Sequence, residues 1–250
     1  MMSAVLGSLP FPGQGGDRVV SKVVSGAIAA LFKRTEQLDA TVRAEPVAKL
    51  LQGSVDGFDF VGKGLQMYNG LRIACMEFYV DAVAIDFSAI LSGQVKLRQP
   101  TKASMRVVLS QEDLTTSFNT PFVVEKLERL QYQGQPLIFR NTQMSVNEDR
   151  SVTLTSQVTH GEEDPMNLDM TAEVDVIDRR KIQFINVKHN GDESAVALGT
   201  SLMDHVNSML DLERFALDGM QLWVDRIRVQ TQQIILYGTA QVNQFPSRRS

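Results

Sequence analysis

Residues Met166 to Val176 read M-N-L-D-M-T-A-E-V-D-V, six apolar side chains alternating with five polar ones without a break. Alternation with period two over this length predicts a strand with one apolar and one wet face. At about 3.3 Å per residue it spans roughly 36 Å, about twice the usual strand length. Two of its first three inward residues, Met166 and Met170, are soft side chains that fill irregular space. Such residues serve an apolar groove and an ordinary core equally well, so the alternation alone assigns no function.

Other stretches follow equally readable patterns. Asp17 is placed to cap a helix reaching about Lys33, with Val19, Val20, Val23, Val24, Ala27, Ile28 and Leu31 at helical spacing. From Asp39 to Leu109 the pattern is β-like, punctuated by Gly53, Gly57, Gly62, Gly64, Gly70, Gly93 and Pro100. Within it, Leu71–Ile85 is apolar on both parities, as a strand covered on both sides would be, and Ala103, Met105, Val107 and Leu109 alternate. Ser110-Gln-Glu-Asp113 predicts a capping box opening a short helix, and Thr120-Pro121 opens another. A second strand block runs from about Leu137 to Lys188, broken by the polar segment His160–Pro165. Glu193–Leu210 reads as a helix with Leu198, Leu202, Val206 and Met209 on one face, and Leu222–Val242 as two more strands.

This order has no strict βαβ alternation, which argues against a parallel doubly wound sheet. It predicts an α+β fold, with a long, curved antiparallel sheet against helices. The expected organisation is a flexible lead over 1–16, one domain over 17–245 and a frayed tail over 246–250.

Composition narrows the function. The 250 residues, 43% apolar and 22% charged, suffice for a sizeable core. A net charge of −4 argues against a nucleic-acid partner. The single cysteine, Cys75, excludes an intramolecular disulfide. The start M-M-S-A-V-L-G-S-L-P lacks a basic n-region, so a secretory signal is not expected, and no apolar run reaches the length of a bilayer span. The first 34 residues nonetheless carry four cations, Arg18, Lys22, Lys33 and Arg34, against one acid, Asp17. The first helix therefore has two readings: packed on the core, or docked at an anionic membrane surface.

Candidate chemistry is thin. Gly57-Phe-Asp-Phe-Val-Gly-Lys-Gly64 approaches a phosphate-binding loop, but Gly64 replaces the hydroxyl residue that holds magnesium. A strand ending in a glycine turn explains it better. His160 beside Glu162, Glu163 and Asp164 lacks regular ligand spacing and reads as a solvated turn. His189-Asn-Gly-Asp192 reads as a hairpin turn, and His205 falls in mid-helix. Cys75 lies in a strand pattern with no base beside it. No metal, cofactor or catalytic constellation is predicted.

Residues 64–122 carry a resemblance. Gly70-Leu-Arg-Ile73, Ala89-Ile-Leu-Ser-Gly93, Leu97 to Pro100-Thr101, and Val107-Val-Leu109 leading into Gln111-Glu-Asp-Leu114 follow one another in order and spacing. Together with the preceding helix and Leu38–Val42, this stretch resembles the LmeA-like phospholipid-binding family, especially cyanobacterial-type members of unassigned role. The resemblance implies a fold related to the tubular lipid-binding superfamily, in which a strongly curved antiparallel sheet wraps a long helix and acyl chains lie between them. It supplies no binding residues.

The groove candidates therefore rest on alternation and helical spacing: Met105, Val107, Met166, Leu168, Met170, Val174, Leu198, Leu202 and Val206. Arg18, Lys22, Lys33 and Arg34 are the membrane-docking candidates. The resulting expectation is a non-enzymatic binder of phospholipid or another acyl lipid, cytoplasmic or peripheral on the inner or thylakoid membrane. The competing readings are an assembly or scaffold protein whose sheet is filled by its own side chains, and a hydrolase using Cys75 or a histidine.

Overall fold

The computed structural model describes residues 16–46, 48–86, 88–89, 96–132, 134–162, 164–191, 193–210 and 219–243. Helix α1 (Gly16–Ala29) leads into β1 (Gln37–Arg43), a short α2 (Ala48–Leu51), and β2 (Ser54–Val55), β3 (Gly57–Gln66), β4 (Arg72–Val80), β5 (Val83–Ala84) and β6 (Thr101–Ser110). Helices α3 (Gln111–Phe118) and α4 (Pro121–Leu127) follow, then β7 (Gln131–Tyr132), β8 (Gln135–Val146), β9 (Ser151–His160), β10 (Met166–Ile177) and β11 (Lys181–Asn190). Helix α5 (Glu193–Met209) and the hairpin of β12 (Met220–Gln230) and β13 (Gln233–Val242) close the described chain. The fold is mixed α+β and mostly antiparallel strand, and its sheets are open.

Two large sheets result. The first runs β1-β3-β4-β6-β13-β12, so the last hairpin of the chain returns to extend the first strand block. The second runs β11-β10-β9-β8-β7, a meander of sequence neighbours, and β2 and β5 form a small separate pair. Hydrogen bonds tie the sheets together. The Gln232 N–H donates to the Val146 carbonyl at 3.2 Å, and the Val224 N–H donates to the Arg179 carbonyl at 2.8 Å. The Gln111 side chain accepts from the Val146 N–H at 2.9 Å.

Local chemistry accounts for the element ends. Ser110 caps α3 by accepting from the Asp113 N–H at 3.0 Å, while the Asp113 carboxylate reaches back to the Ser110 N–H, which completes the predicted capping box. Thr120 caps α4 and Pro121 takes its first position, where a missing N–H costs nothing. Helix α1 ends at Ala29, four residues before the expected Lys33. Three-residue turns at Leu31 and Phe32 tighten the chain so that the Lys33 N–H can donate to the Gln66 carbonyl at 2.8 Å. Its start at Gly16 puts Asp17 inside the first turn rather than at the cap. Of the lead expected over 1–16, Gly16 belongs to α1 and residues 1–15 lie outside the described residues, as does the tail over 246–250.

Two turn expectations change. Strand β3 continues through Gly64, and the reversal falls later, at Gly70, whose φ of +91° only glycine adopts freely. Asn190-Gly191 is not a hairpin turn. After β11 the chain enters α5, because residues from Glu193 onward have helical and not alternating spacing and offer no return strand to pair. Asp192 lies outside the described residues.

Strand β10 alternates as its sequence predicts. Leu168, Met170 and Ala172 are buried, and the polar residues between them are more open. Helix α5 packs over this face, locked by Asn207, whose side chain accepts from the Phe184 N–H at 2.8 Å and donates to the Phe184 carbonyl at 3.1 Å. Leu198 and Leu202 are each 1% exposed, as is Met170. Only a void of about 10 Å³ remains there, among Met144, Val152, Leu154, Met170, Phe184 and Leu202. The middle of the second sheet and the first turns of α5 are thus packed on each other, while Ile182, Val206 and Met209 at their margin reach a larger space.

Candidate functional site

The first sheet behaves differently. Its inner face borders a cavity of about 400 Å³ that its own side chains leave open. The alternation of β6 supplies the floor: Thr101, Ala103, Met105, Val107 and Leu109 all line it. At about 3.3 Å per residue this row is roughly 26 Å long. Met105 pairs with Phe78, and Val107 pairs with Met76 on one side and Leu236 on the other, so apolar cross-strand rows continue the floor sideways. Phe58 and Phe60 extend it along β3, and Phe60 leans on Phe78 with ring centroids 6.2 Å apart.

Helices form the opposing walls. Val24, Ile28 and Phe32 of the α1 segment are buried and line the cavity, so these positions of the helical stripe face inward. Its backbone partner is β1, where Ser21 Oγ accepts from the Val42 N–H at 3.1 Å. Phe118 and Phe122 come from α3 and α4, and Val206, Met209 and Leu210 from the end of α5. One close approach shapes the floor. Gly238 on β13 has no room for a side chain, which would run into the Trp223 carbonyl and the Met105 terminal methyl.

The sequence candidates divide between these two environments. Met105 and Val107 lie on the cavity floor, and Val206 lies on its wall and also borders the small void. Leu168, Met170, Leu198 and Leu202 sit in the closed core of the second sheet, with Met166 and Val174 half-buried at its margins. Residues that the sequence reading passed over contribute much of the wall, among them Phe60, Ile73, Met76, Phe78, Phe122 and Leu222. For β4 a signal existed in the alternation of Met76, Phe78 and Val80 with Cys75, Glu77 and Tyr79. The many apolar neighbours on both parities masked it.

Of the docking candidates, Lys22, Lys33 and Arg34 are exposed, and Arg18 falls on α1. Among the described residues, no helix is long and apolar enough to cross a membrane.

The remaining reactive groups have structural surroundings. Cys75 Sγ lies 3.7 Å from Glu77 Oε1, away from the cavity lining, and Glu77 also pairs with Arg106 at 2.7 Å. Burial and the Glu77 carboxylate push the thiol above its ordinary range, the opposite of what a nucleophile needs. His160 Nε2 lies 2.7 Å from the Tyr132 carbonyl, and His205 Nε2 lies 3.1 Å from that of Lys126. The His189 ring packs against Gly199 of α5. Among the described residues no three histidine, cysteine or acidic side chains gather as metal ligands.

A long apolar space between sheet and helices is the decisive geometry, and the comparison with known families agrees with it. The model of the LmeA-like phospholipid-binding family matches residues 12–239. The chain belongs to this family. No curated protein and no solved structure matches it significantly. The match reaches from before α1 into β13, and so takes in strands of both sheets and all of the cavity lining except Val242.

Proposed function

We propose that residues 17–245 act as one non-enzymatic lipid carrier that holds acyl chain in the cavity between the first sheet and α1, α3 and α4. The observation that carries this reading is the cavity itself, about 400 Å³ with almost wholly apolar walls, in a member of a phospholipid-binding family. A methylene is close in size to a water molecule, about 30 Å³, so the space takes roughly thirteen of them. Each gains about 0.8 kcal/mol on leaving water, or on the order of 10 kcal/mol in all before ordering costs. A curved sheet wrapping α1 is the arrangement such a ligand calls for, since it surrounds a flexible chain with apolar contacts along its length. No ring of specific polar residues is needed, in keeping with the absence of sharp motifs in the sequence.

The carrier works peripherally at a membrane surface, where Arg18, Lys22, Lys33 and Arg34 face anionic headgroups while the apolar stripe of α1 stays inside. Native mass spectrometry of the gently purified full chain tests the proposal. Bound species of acyl-lipid mass, released on denaturation, are the expected result. A single apo mass, with no uptake of added phospholipid or fatty acid, would favour the scaffold reading, which the closed second sheet already fits.

A further inference from the structure

The cavity wall carries its charge on β4 and α4, on the side of the helical cap. Among the described residues its only charged side chains are Arg72 and Lys126, both cations, and its only other polar ones are Ser117 and Thr101. Arg72 opens β4 three residues before Cys75, which pairs with Val108, so it lies beside the Leu109 end of the floor where α3 begins. The Arg72 N–H donates to Ser117 Oγ of α3 at 3.0 Å. Lys126 belongs to α4 of the same helical cap, its Nζ 4.9 Å from the Phe122 ring centroid. Thr101 marks the opposite end of the floor.

Both cations are half-buried, and among the described residues neither has a carboxylate within ion-pair distance. Further positive charge stands near Arg72. Arg34 bridges to Gln66, and Gln66 pairs with Arg72, so two arginines flank one glutamine across neighbouring strands. Glu36, two residues from Arg34, folds over Gly64; Glu77 is taken by Arg106, and Glu125 and Glu128, the acids nearest Lys126 in sequence, are exposed and make no ion pair with it among the described residues. A half-buried cation with no carboxylate partner, on an otherwise apolar wall, gains when an anion meets it. Their surroundings also make an anion worth more there than in open water. A guanidinium offers the planar fork that carboxylate and phosphate oxygens fit, and an ammonium adds a second point of charge.

We propose that the ligand enters head-last: its acyl chain runs along β6 towards Thr101, and its anionic head is held at the α3–α4 end by Arg72 and Lys126. This rests on the lipid-carrier reading and specifies it. The ligand class is an acyl chain with a negatively charged head, either carboxylate or phosphate, and zwitterionic or uncharged heads leave the cations unmatched.

The test uses the delipidated full chain loaded with an uncharged fluorescent probe, a pyrene-labelled long-chain alcohol. Hexadecanol, palmitate, a single-chain lysophosphatidate and inorganic phosphate each compete with it. Palmitate or lysophosphatidate should displace the probe at about a tenth of the hexadecanol concentration, and whichever gains more identifies the head. The pair Arg72→Gln with Lys126→Gln should erase that advantage while probe and hexadecanol binding stay within about twofold. Arg72→Lys with Lys126→Arg should retain most of it, which separates charge from any loss of folding. Equal potency of hexadecanol and both anions on the wild-type chain would overturn the head assignment and leave the carrier reading standing. Failure of the probe to bind at all would overturn the carrier reading itself. Abolition of the lysophosphatidate advantage by equimolar inorganic phosphate would assign the cations to free phosphate and refute the proposal.

Discussion

Replacing Val107 by Trp puts the lipid-carrier reading at risk most directly. Val107 lies on the cavity floor next to its Leu109 end, with Met76 and Leu236 as its strand neighbours on either side. The change adds seven heavy atoms. Ring atoms are smaller than methylenes, about 13 Å³ each, so they take up roughly a quarter of the 400 Å³ available. An acyl chain would then lose room for about three methylenes, ~2.4 kcal/mol or roughly fiftyfold in affinity. Tryptophan suits a strand, and the empty space accepts it, so the overpacking penalty of 1–3 kcal/mol usual in a full core should be absent.

The same substitution at Met170 provides the contrast, because only about 10 Å³ is free there. Titration with a fluorescent acyl probe, alongside thermal unfolding, reads both effects. Val107→Trp should lose at least tenfold in probe affinity with little change in Tm, and Met170→Trp should lower Tm by several degrees. If Val107→Trp binds the probe normally, no chain lies along β6. If it unfolds as Met170→Trp does, the space is filled by the protein itself and the carrier reading fails.

Three further expectations follow from particular residues. Leu168, 2% exposed, should accept Met with a cost below about 1.5 kcal/mol, whereas Leu168→Asp should unfold the second sheet by burying an unpaired charge, as circular dichroism would show. The Cys75 thiol, held above its ordinary range first by burial and then by Glu77, carries less thiolate at neutral pH than a free thiol. Its alkylation should therefore be slow at pH 7 and rise only at higher pH than a model thiol, and Cys75→Ala should leave lipid uptake unchanged; fast labelling at pH 7 contradicts the first expectation and lost uptake the second. The full chain should sediment with anionic vesicles at low salt, and changing Arg18, Lys22, Lys33 and Arg34 together to Gln should release it, since each cation near an anionic leaflet contributes about 1 kcal/mol. Undiminished sedimentation of that variant, or equal binding to neutral vesicles, would place docking elsewhere.

Element type was legible in the chain wherever one face is buried and the other wet. The alternation of β10 and β6, the helical spacing of α5 and the caps of α3 and α4 are written in short-range order, because capping and periodicity depend on residues at most a few positions apart. The family was legible too, through the order of pieces between Gly64 and Phe122.

What the sequence could not distinguish is which buried face is full and which is empty. Leu168 of β10 and Met105 of β6 carry the same alternation signal. One meets α5 across a closed contact, and the other faces open space beneath α1 and the α3–α4 cap. That difference depends on the distance between layers, which is set by elements far apart in the chain. The hairpin β12–β13 joins the first sheet from more than a hundred residues downstream, and the Arg72–Ser117 contact spans 45 residues. Hydrophobic burial is non-directional, so an apolar side chain reports that it avoids water and not what it touches. Only the tertiary packing decides whether a neighbour or a cavity lies against it.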